Sequence, residues 1–274
     1  MNIIKTLVFS SLIICVPLLV FADIKSKIEK KLYSKINNFT ENLGDGVAES
    51  LSDFERLKYL DFSINIQDSL EPTVQIQSVS SIKEYDDGAL FNQLNLISHD
   101  SETTINLGFG KRKLLDNDAL MIGTNLFVDY QFDESHLRTG LGFEAVSSSL
   151  DIIANYYNAI SGFKKTSTGS EKALDGYDLK LNYHLSRSSN TDLFVQLFEW
   201  ENPNSTFEEK GEKIGINSSI GNLALELGYL NDNKDNDGLF GSLKVIIPLG
   251  GNNSKEIPNE IDTNQKKLSV RDKL

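Results

Sequence analysis

The sequence is poor in the residues that build disulfide frameworks and metal sites. It contains a single cysteine, Cys15, and three histidines in 274 residues. One cysteine excludes an internal disulfide and a zinc site made of several thiolates, and three histidines leave few ligands for other transition metals. We therefore expect no metal and no cofactor.

Long apolar runs are confined to the amino terminus. Residues 1–22 combine one lysine, an apolar run at 6–21 and the small residue Ala22, which is the layout of a cleaved secretory signal peptide. The run is shorter than the roughly 20 residues that a membrane-spanning helix needs. No later stretch of the sequence is long and apolar enough for such a helix.

Positive charge is also in short supply. The chain has 27 basic and 39 acidic residues, a formal net charge of −12. Such a chain lacks the basic surface that binds a phosphate backbone, so we expect no nucleic-acid partner. Proline, which cannot donate to a sheet ladder, occurs only five times.

Residues 23–56 have the spacing of an amphipathic helix. Apolar residues recur every three or four positions, as at Ile24, Ile28, Leu32 and Ile36. Two alternatives stay open for this segment. It packs on a neighbouring part of the protein with its lysines in solvent, or it lies on a membrane surface or self-associates.

From Leu57 to Gly250 the apolar residues alternate with polar ones, which is the period of a β-strand. About twelve strands are predicted, at 57–67, 72–85, 89–100, 102–114, 119–133, 136–148, 150–164, 173–186, 191–203, 208–220, 223–233 and 237–250. Each is long enough for the 9–11 residues of a tilted membrane-spanning strand. Long polar loops alternate with tight turns, as in outer-membrane barrels, although a soluble up-and-down barrel would share this habit.

The two faces of the predicted strands differ in an unusual way. In 122–145 one face is apolar, whereas the other carries glycines and charges of both signs. In a soluble barrel those glycines would lie outside and only weaken the strands. If the apolar face instead points outward into lipid and the glycines and charges point inward, the pattern is that of a membrane barrel. The candidate lumen charges are Asp129, Arg138, Glu144, Asp178, Lys180, Glu226 and Lys244. The candidate lipid-facing residues are Leu126, Val128, Leu141, Phe143, Leu179, Leu181, Leu225, Leu227, Val245 and Ile247.

Several motifs also resemble a known family. The segments NLGFGKRKLLDNDALMIGTNLFVDYQF, HLRTGLGFEA, NYYNAISGFK and DGYDLKLNYHL, in this order, are similar to the β-domain of inverse autotransporters, the group that contains intimin and invasin. The resemblance implies an all-β fold, an antiparallel transmembrane barrel of twelve strands in the outer membrane, with the preceding helical segment in the periplasm. It further implies a role as anchor and translocator of a carboxy-terminal adhesin, and insertion with the help of outer-membrane machinery and periplasmic chaperones.

The sequence departs from the family pattern after Gly250. Only 274 − 250 = 24 residues follow, fewer than the roughly 40 that a domain needs to fold without disulfides or metal. We expect a polar tail at 251–274 in place of an adhesive passenger, either threaded back through the lumen or frayed in the periplasm. The alternatives to a translocator are a stand-alone pore for small solutes and a protein that binds a surface partner through its loops.

The charged set permits two roles. Cross-strand pairs on the lumen face would only brace the barrel, or they would also set the electrostatic field that a solute or threaded chain meets. Inward glycines such as Gly140 and Gly142 favour an open lumen, whereas crossing charges would close it. His99, His136 and His184 fall at loops or near a strand end and no G-x-S-x-G motif is present, so we do not expect an enzyme.

Overall fold

The computed structural model describes residues 57–68, 70–100, 102–117, 119–165, 169–186, 190–202 and 204–248. They contain the strands β1 (Leu57–Gln67), β2 (Leu70–Tyr85), β3 (Gly88–His99), β4 (Glu102–Leu115), β5 (Leu120–Gln131), β6 (His136–Ser147), β7 (Leu150–Ala159), β8 (Lys164–Lys165), β9 (Ser170–Glu171), β10 (Asp175–Ser186), β11 (Thr191–Glu201), β12 (Glu208–Ile220), β13 (Leu223–Asp232) and β14 (Gly238–Pro248). The predictions for 1–22, 23–56 and 251–274 lie outside the described residues. Within the described ranges, no helix has the length and apolar character needed to cross a membrane.

Twelve of the strands close into one antiparallel barrel. Neighbouring barrel strands follow the chain order, and β1 pairs with β14 to complete the ring. The closing register runs from Tyr59 opposite Pro248 to Gln67 opposite Phe240. A closed sheet has no free edge, which a bilayer requires because it offers no water to unpaired backbone groups. The all-β barrel of twelve strands predicted from the alternation is therefore confirmed.

The predicted strand limits agree with the structure within two residues, except in the seventh strand. There the prediction continued to residue 164, whereas β7 ends at Ala159. The backbone leaves the ladder at this point because the amides of Ile160 and Ser161 both donate to the carbonyl oxygen of Leu137, at 2.9 and 3.1 Å. The alternation alone does not reveal such a bend. The short hairpin of β8 and β9 follows, outside the barrel sheet.

The connections differ between the two ends of the barrel. One end, here called the turn end, holds the connections 86–87, 116–119, 148–149, 187–190 and 221–222, the first residue of β1 and the last of β14. Asp116 and Asn117 adopt left-handed φ values of 51° and 52°, a conformation that Asn and Asp tolerate better than most residues. The other end, the loop end, holds two short connections, 68–69 and 100–101, and the longer connections 132–135, 202–207, 233–237 and 160–174, of which the last is the longest.

Candidate functional site in the barrel lumen

Alternation along the strands divides side chains between an outer face and a lumen. In β5 the outward Leu126 and Val128 are 65% and 41% exposed, whereas the intervening Phe127 and Asp129 are 8% and 7% exposed. Strand register then places the charges singled out from the sequence. The residues on the inner face are Asp129, Arg138, Glu144, Asp178, Lys180, Glu226 and Lys244.

The charge pair nearest the loop end is formed by Asp129 and Arg138. Nε and Nη2 of Arg138 donate to Oδ2 of Asp129 at 2.8 and 2.7 Å. The other carboxylate oxygen accepts from Nδ2 of Asn106 at 2.5 Å. Three neighbouring strands, β4, β5 and β6, are thereby joined by hydrogen bonds to one carboxylate, and bonds of this charged kind are the stronger class in proteins.

Two aromatic rings support the guanidinium of Arg138. Its central carbon lies 4.5 Å from the ring centre of Tyr157 and 5.3 Å from that of Trp200. The Tyr157 hydroxyl donates to Oδ2 of Asp178 at 2.8 Å, and Nδ2 of Asn155 donates to Oδ1 at 3.1 Å. One continuous network therefore extends from β4 to β11 along the wall of the lumen.

Two further ion pairs reach over intervening strands. Arg112 on β4 donates from Nε to Oε1 of Glu144 on β6 at 2.6 Å. Lys180 on β10 donates to Oε2 of Glu226 on β13 at 2.9 Å. Each of these pairs skips one or two strands, unlike simple pairs between adjacent strands. The barrel wall is curved, so long inward side chains from strands that are not neighbours can meet in the lumen.

The remaining luminal charges have looser surroundings. Nζ of Lys244 lies 4.0 Å from Oδ2 of Asp61, whose side chain is 4% exposed. Lys213 lies over the ring of Phe240, 5.2 Å from its centre. Close to the turn end, His184 bonds Asp192 through Nδ1 at 2.5 Å and Asp151 through Nε2 at 3.1 Å.

Inward glycines provide room for aromatic rings from the next strand. An added Cβ at Gly140 would overlap the ring of Phe127, and one at Gly215 would come within 2.7 Å of Phe194. The same relationship links other pairs, namely Gly110 with Phe91, Gly176 with Trp200, Gly211 with Phe198 and Gly228 with Phe240. The expectation that these glycines open the lumen is therefore wrong where a ring covers them. The charged groups of Arg112, Lys180 and Lys213 lie over such rings, at 4.3–5.2 Å from their centres.

A cavity of about 640 Å³ occupies the lumen at the loop end, and we call it the vestibule. Part of its wall comes from residues 170–174 of the longest connection, and the rest from inward residues of the barrel. Its lining residues are Glu102, Thr104, Asp129, Gln131, His136, Arg138, Ser170, Glu171, Lys172, Ala173, Leu174, Trp200, Asn202, Phe207 and Glu209.

The residues predicted to face lipid lie on the outer face of the barrel, and only Ile247 among them is buried. Leu126, Val128, Leu141, Phe143, Leu181 and Leu227 are 37–65% exposed, and Leu179, Leu225 and Val245 are half-buried. Ile247 shares the parity of Leu243 in β14 but is only 4% exposed. Ile247 lies next to the end of β14, at the turn end of the barrel. It is therefore not part of the exposed apolar band.

The three histidines do not form a hydrolytic centre in the described part of the chain. His136 bonds the hydroxyl of Ser161 through Nδ1 at 3.3 Å, and His99 bonds that of Thr73 at 2.9 Å. Neither bonds a carboxylate as well, and His184 bonds two carboxylates but no serine. Nor do the described His, Cys, Asp and Glu residues contain a group of three that could hold a metal ion.

A comparison with protein families shows which family the chain belongs to. The family model described as "Inverse autotransporter, beta-domain" matches residues 19–271. The chain belongs to this family. Membership and the closed barrel together make this inverse autotransporter β-domain an outer-membrane protein that contacts membrane lipid.

Similar proteins include two relatives from Escherichia coli, each matched over 35% of this chain. A putative attaching and effacing protein homolog of Escherichia coli K12 is 35% identical over 99 residues, which cover 35% of this chain and 33% of that protein. Intimin of Escherichia coli O157:H7 is 32% identical over 98 residues, which cover 35% of this chain and 10% of intimin. The chain thus spans a third or less of the relatives it matches.

Solved structures agree on the fold alone. A membrane protein from a study of in-meso crystallization has a TM-score of 0.64 at 19% identity, over 70% of this chain and 83% of that one. An outer-membrane channel of Pseudomonas putida F1 has a TM-score of 0.51 at 10% identity, over 70% of this chain and 94% of that one.

Several luminal residues were missing from the sequence prediction. Arg112 shares the parity of Gly108 and Gly110 on β4, so the alternation was sufficient to identify it. Tyr157 and Trp200 could not be assigned to this site from the sequence, because ring stacking on Arg138 depends on distances across strands. Register, rather than composition, determines these contacts.

Proposed function

We propose that this inverse autotransporter β-domain is a membrane anchor and polypeptide translocator. Its turn end and amino terminus face the periplasm, and its loop end faces outward, in the usual arrangement of long loops in outer-membrane barrels. The observation that carries the proposal is a family match that spans every strand of a closed barrel whose inner face is charged. Insertion requires the outer-membrane machinery and periplasmic chaperones, and we assign no catalytic step.

In this proposal residues 251–274 pass back through the lumen. The last strand, β14, finishes at the turn end, so the chain must turn to reach the other side. Fully extended, 24 residues at roughly 3.3 Å each reach about 79 Å, more than the roughly 40–45 Å of a bilayer with its headgroups. The segment is polar, which suits a charged lumen and does not suit lipid.

Single cysteines test both the orientation and the route of the tail. In a chain with Cys15 replaced by serine, a membrane-impermeant thiol reagent on intact cells should label Ser205→Cys at the loop end. It should not label Ser148→Cys at the turn end until the outer membrane is permeabilised. Ser269→Cys should behave like Ser205→Cys. A tail that is labelled only after permeabilisation would exclude threading while leaving the orientation intact, whereas the reverse pattern at 148 and 205 would refute the orientation.

A solute pore is the second candidate, and the vestibule is the observation that favours it. Planar-bilayer recording of the full chain separates the two functions. A steady open channel supports a pore. Silence that becomes conductance after deletion of residues 251–274 supports a translocator occupied by its own tail.

If the loops instead bind a surface partner, replacing 164–173 with a short turn should abolish that binding while the barrel still folds.

A further inference from the structure

The vestibule has the size and shape of a small-molecule site. Its volume of about 640 Å³ falls within the roughly 300–1,000 Å³ of typical ligand pockets, which often lie in the mouths of β-barrels. Residues 170–174 of the longest connection line one side. The inner faces of β4, β5, β6, β11 and β12 line the others, together with Asn202 and Phe207 from the connection between β11 and β12. A ligand here would contact groups from five barrel strands at once.

Negative charge predominates in this lining. Four carboxylates, those of Glu102, Asp129, Glu171 and Glu209, lie beside the cations Arg138 and Lys172. Asp129 is paired with Arg138, and the rest of the lining contains three carboxylates and one cation, Lys172. A concave site with an excess of one charge concentrates ligands of the opposite charge. The lining therefore favours cations.

His136 provides an independent indication of a missing hydrogen-bond partner. Its side chain is only 9% exposed, and it lines the vestibule. Nδ1 bonds the hydroxyl of Ser161 at 3.3 Å, whereas the buried Nε2 has no hydrogen-bond partner. When Nδ1 carries the proton and donates to Ser161, Nε2 is an acceptor. A buried ring nitrogen without a hydrogen-bond partner is uncommon in folded proteins, and in this tautomer an ammonium group in the vestibule would supply the donor.

Aromatic and amide groups complete the lining. Trp200 and Phe207 present ring surface that attracts cations, and Gln131 and Asn202 offer carbonyl oxygens to N–H donors. We propose that the vestibule binds small organic cations that carry two or more ammonium or guanidinium groups. This binding does not depend on export of a polypeptide, so it can be tested apart from the translocator function.

The chain contains a single tryptophan, so the fluorescence of Trp200 reports on the vestibule alone. Spermidine added to the purified full-length barrel should change this emission saturably, whereas glutarate at equal concentration should not. When the quenching by each ion is normalised to its quenching of free tryptophan, caesium should quench Trp200 more than iodide does, because the acidic lining attracts one quencher and repels the other. Equal responses to spermidine and glutarate, or stronger quenching by iodide, would overturn the proposal.

Isosteric variants test the carboxylates. Glu102→Gln combined with Glu209→Gln removes two charged partners and should weaken spermidine binding about tenfold. Glu84→Gln, at the turn end and outside the vestibule, is the matched control and should bind as the parent does. Folding of each variant is checked by heat-modifiability on a gel. Unchanged affinity in the folded double variant would show that these carboxylates do not form the site.

The chain's own tail carries the same chemistry, at Lys266, Lys267 and Arg271. Reversing two of these charges, Lys266→Glu with Lys267→Glu, distinguishes the sources of the cation. If the tail occupies the vestibule in the parent, free spermidine should bind the reversed variant more tightly. Equal affinity in both would identify the natural occupant as a free organic cation. Loss of spermidine binding in the reversed variant would contradict a site formed by the barrel lining.

Discussion

Lys180 and Glu226 form an ion pair of 2.9 Å although their strands, β10 and β13, are separated by two others. The ammonium of Lys180 also lies 4.3 Å from the ring centre of Phe194 on β11, beneath the bridge. Ring and pair together connect β10, β11 and β13 on the lumen side. This arrangement braces the barrel wall without adding a hydrogen bond to the sheet itself.

Removing one member of this pair should destabilise the barrel. Both side chains are less than 26% exposed, and a charge left without its partner in such a place costs about 1–3 kcal/mol. We expect Lys180→Met and Glu226→Gln each to lower the free energy of unfolding by that amount. The double variant should lose less than the sum. The measurement is a urea refolding titration in lipid vesicles.

The exposed pair Lys58–Glu84 serves as the control for this cycle. Its side chains are 36% and 59% exposed, so Glu84→Gln should change stability by about 0–1 kcal/mol. If Glu226→Gln proves as mild as this control, the bridge does not brace the barrel.

Adjacent residues on β5 test the assignment of faces. Leu126 is 65% exposed on the outer face, and an arginine there should cost about 2–4 kcal/mol if the position lies near the bilayer midplane. Asn125→Arg points into the lumen, where the charge meets polar groups, so its effect should be much smaller. Refolding titrations of both variants provide the comparison, and equal penalties would show that the faces are interchanged.

The glycine and ring pairs lead to a prediction about packing. A side chain at Gly140 would overlap the ring of Phe127, so Gly140→Val should destabilise the barrel by about 1–3 kcal/mol through overpacking. Adding Phe127→Leu should restore part of this loss, because it frees the same space. Gly162→Ala is the control, since nothing lies within 4 Å of its added Cβ. Absence of rescue in the double variant would argue against direct contact between ring and glycine.

Barrel closure and strand number were predictable because alternation is a local property of the sequence. The parity of β5 likewise assigns Asp129 to the lumen and Leu126 to the outside. The alternation does not predict that a ring covers Gly140, although Phe127 is an apolar residue on the polar face of β5. That contact requires the register that sets Phe127 opposite Gly140. The Lys180–Glu226 bridge requires the curvature of the closed wall, which no single strand encodes.

Arg138 should not be replaceable by lysine. Its guanidinium donates two hydrogen bonds to Asp129 while lying over Tyr157 and Trp200. Lysine retains the charge but loses the planar fork and part of the ring contact, so Arg138→Lys should cost about 1–2 kcal/mol. Unfolding followed by far-UV circular dichroism gives the stability, and Trp200 fluorescence should shift in the folded variant. A variant identical to the parent in both readouts would refute the stacked arrangement.

The central claim is that this chain is a closed barrel in the outer membrane, and heat-modifiability after fractionation of the native host tests it most directly. The protein should sediment with the outer membrane and require detergent for extraction. Without heating, the extracted protein should migrate at a different apparent mass from the boiled sample, because the closed barrel resists unfolding in the gel. Recovery as a soluble periplasmic protein that needs no detergent, with one mobility before and after boiling, would contradict the account.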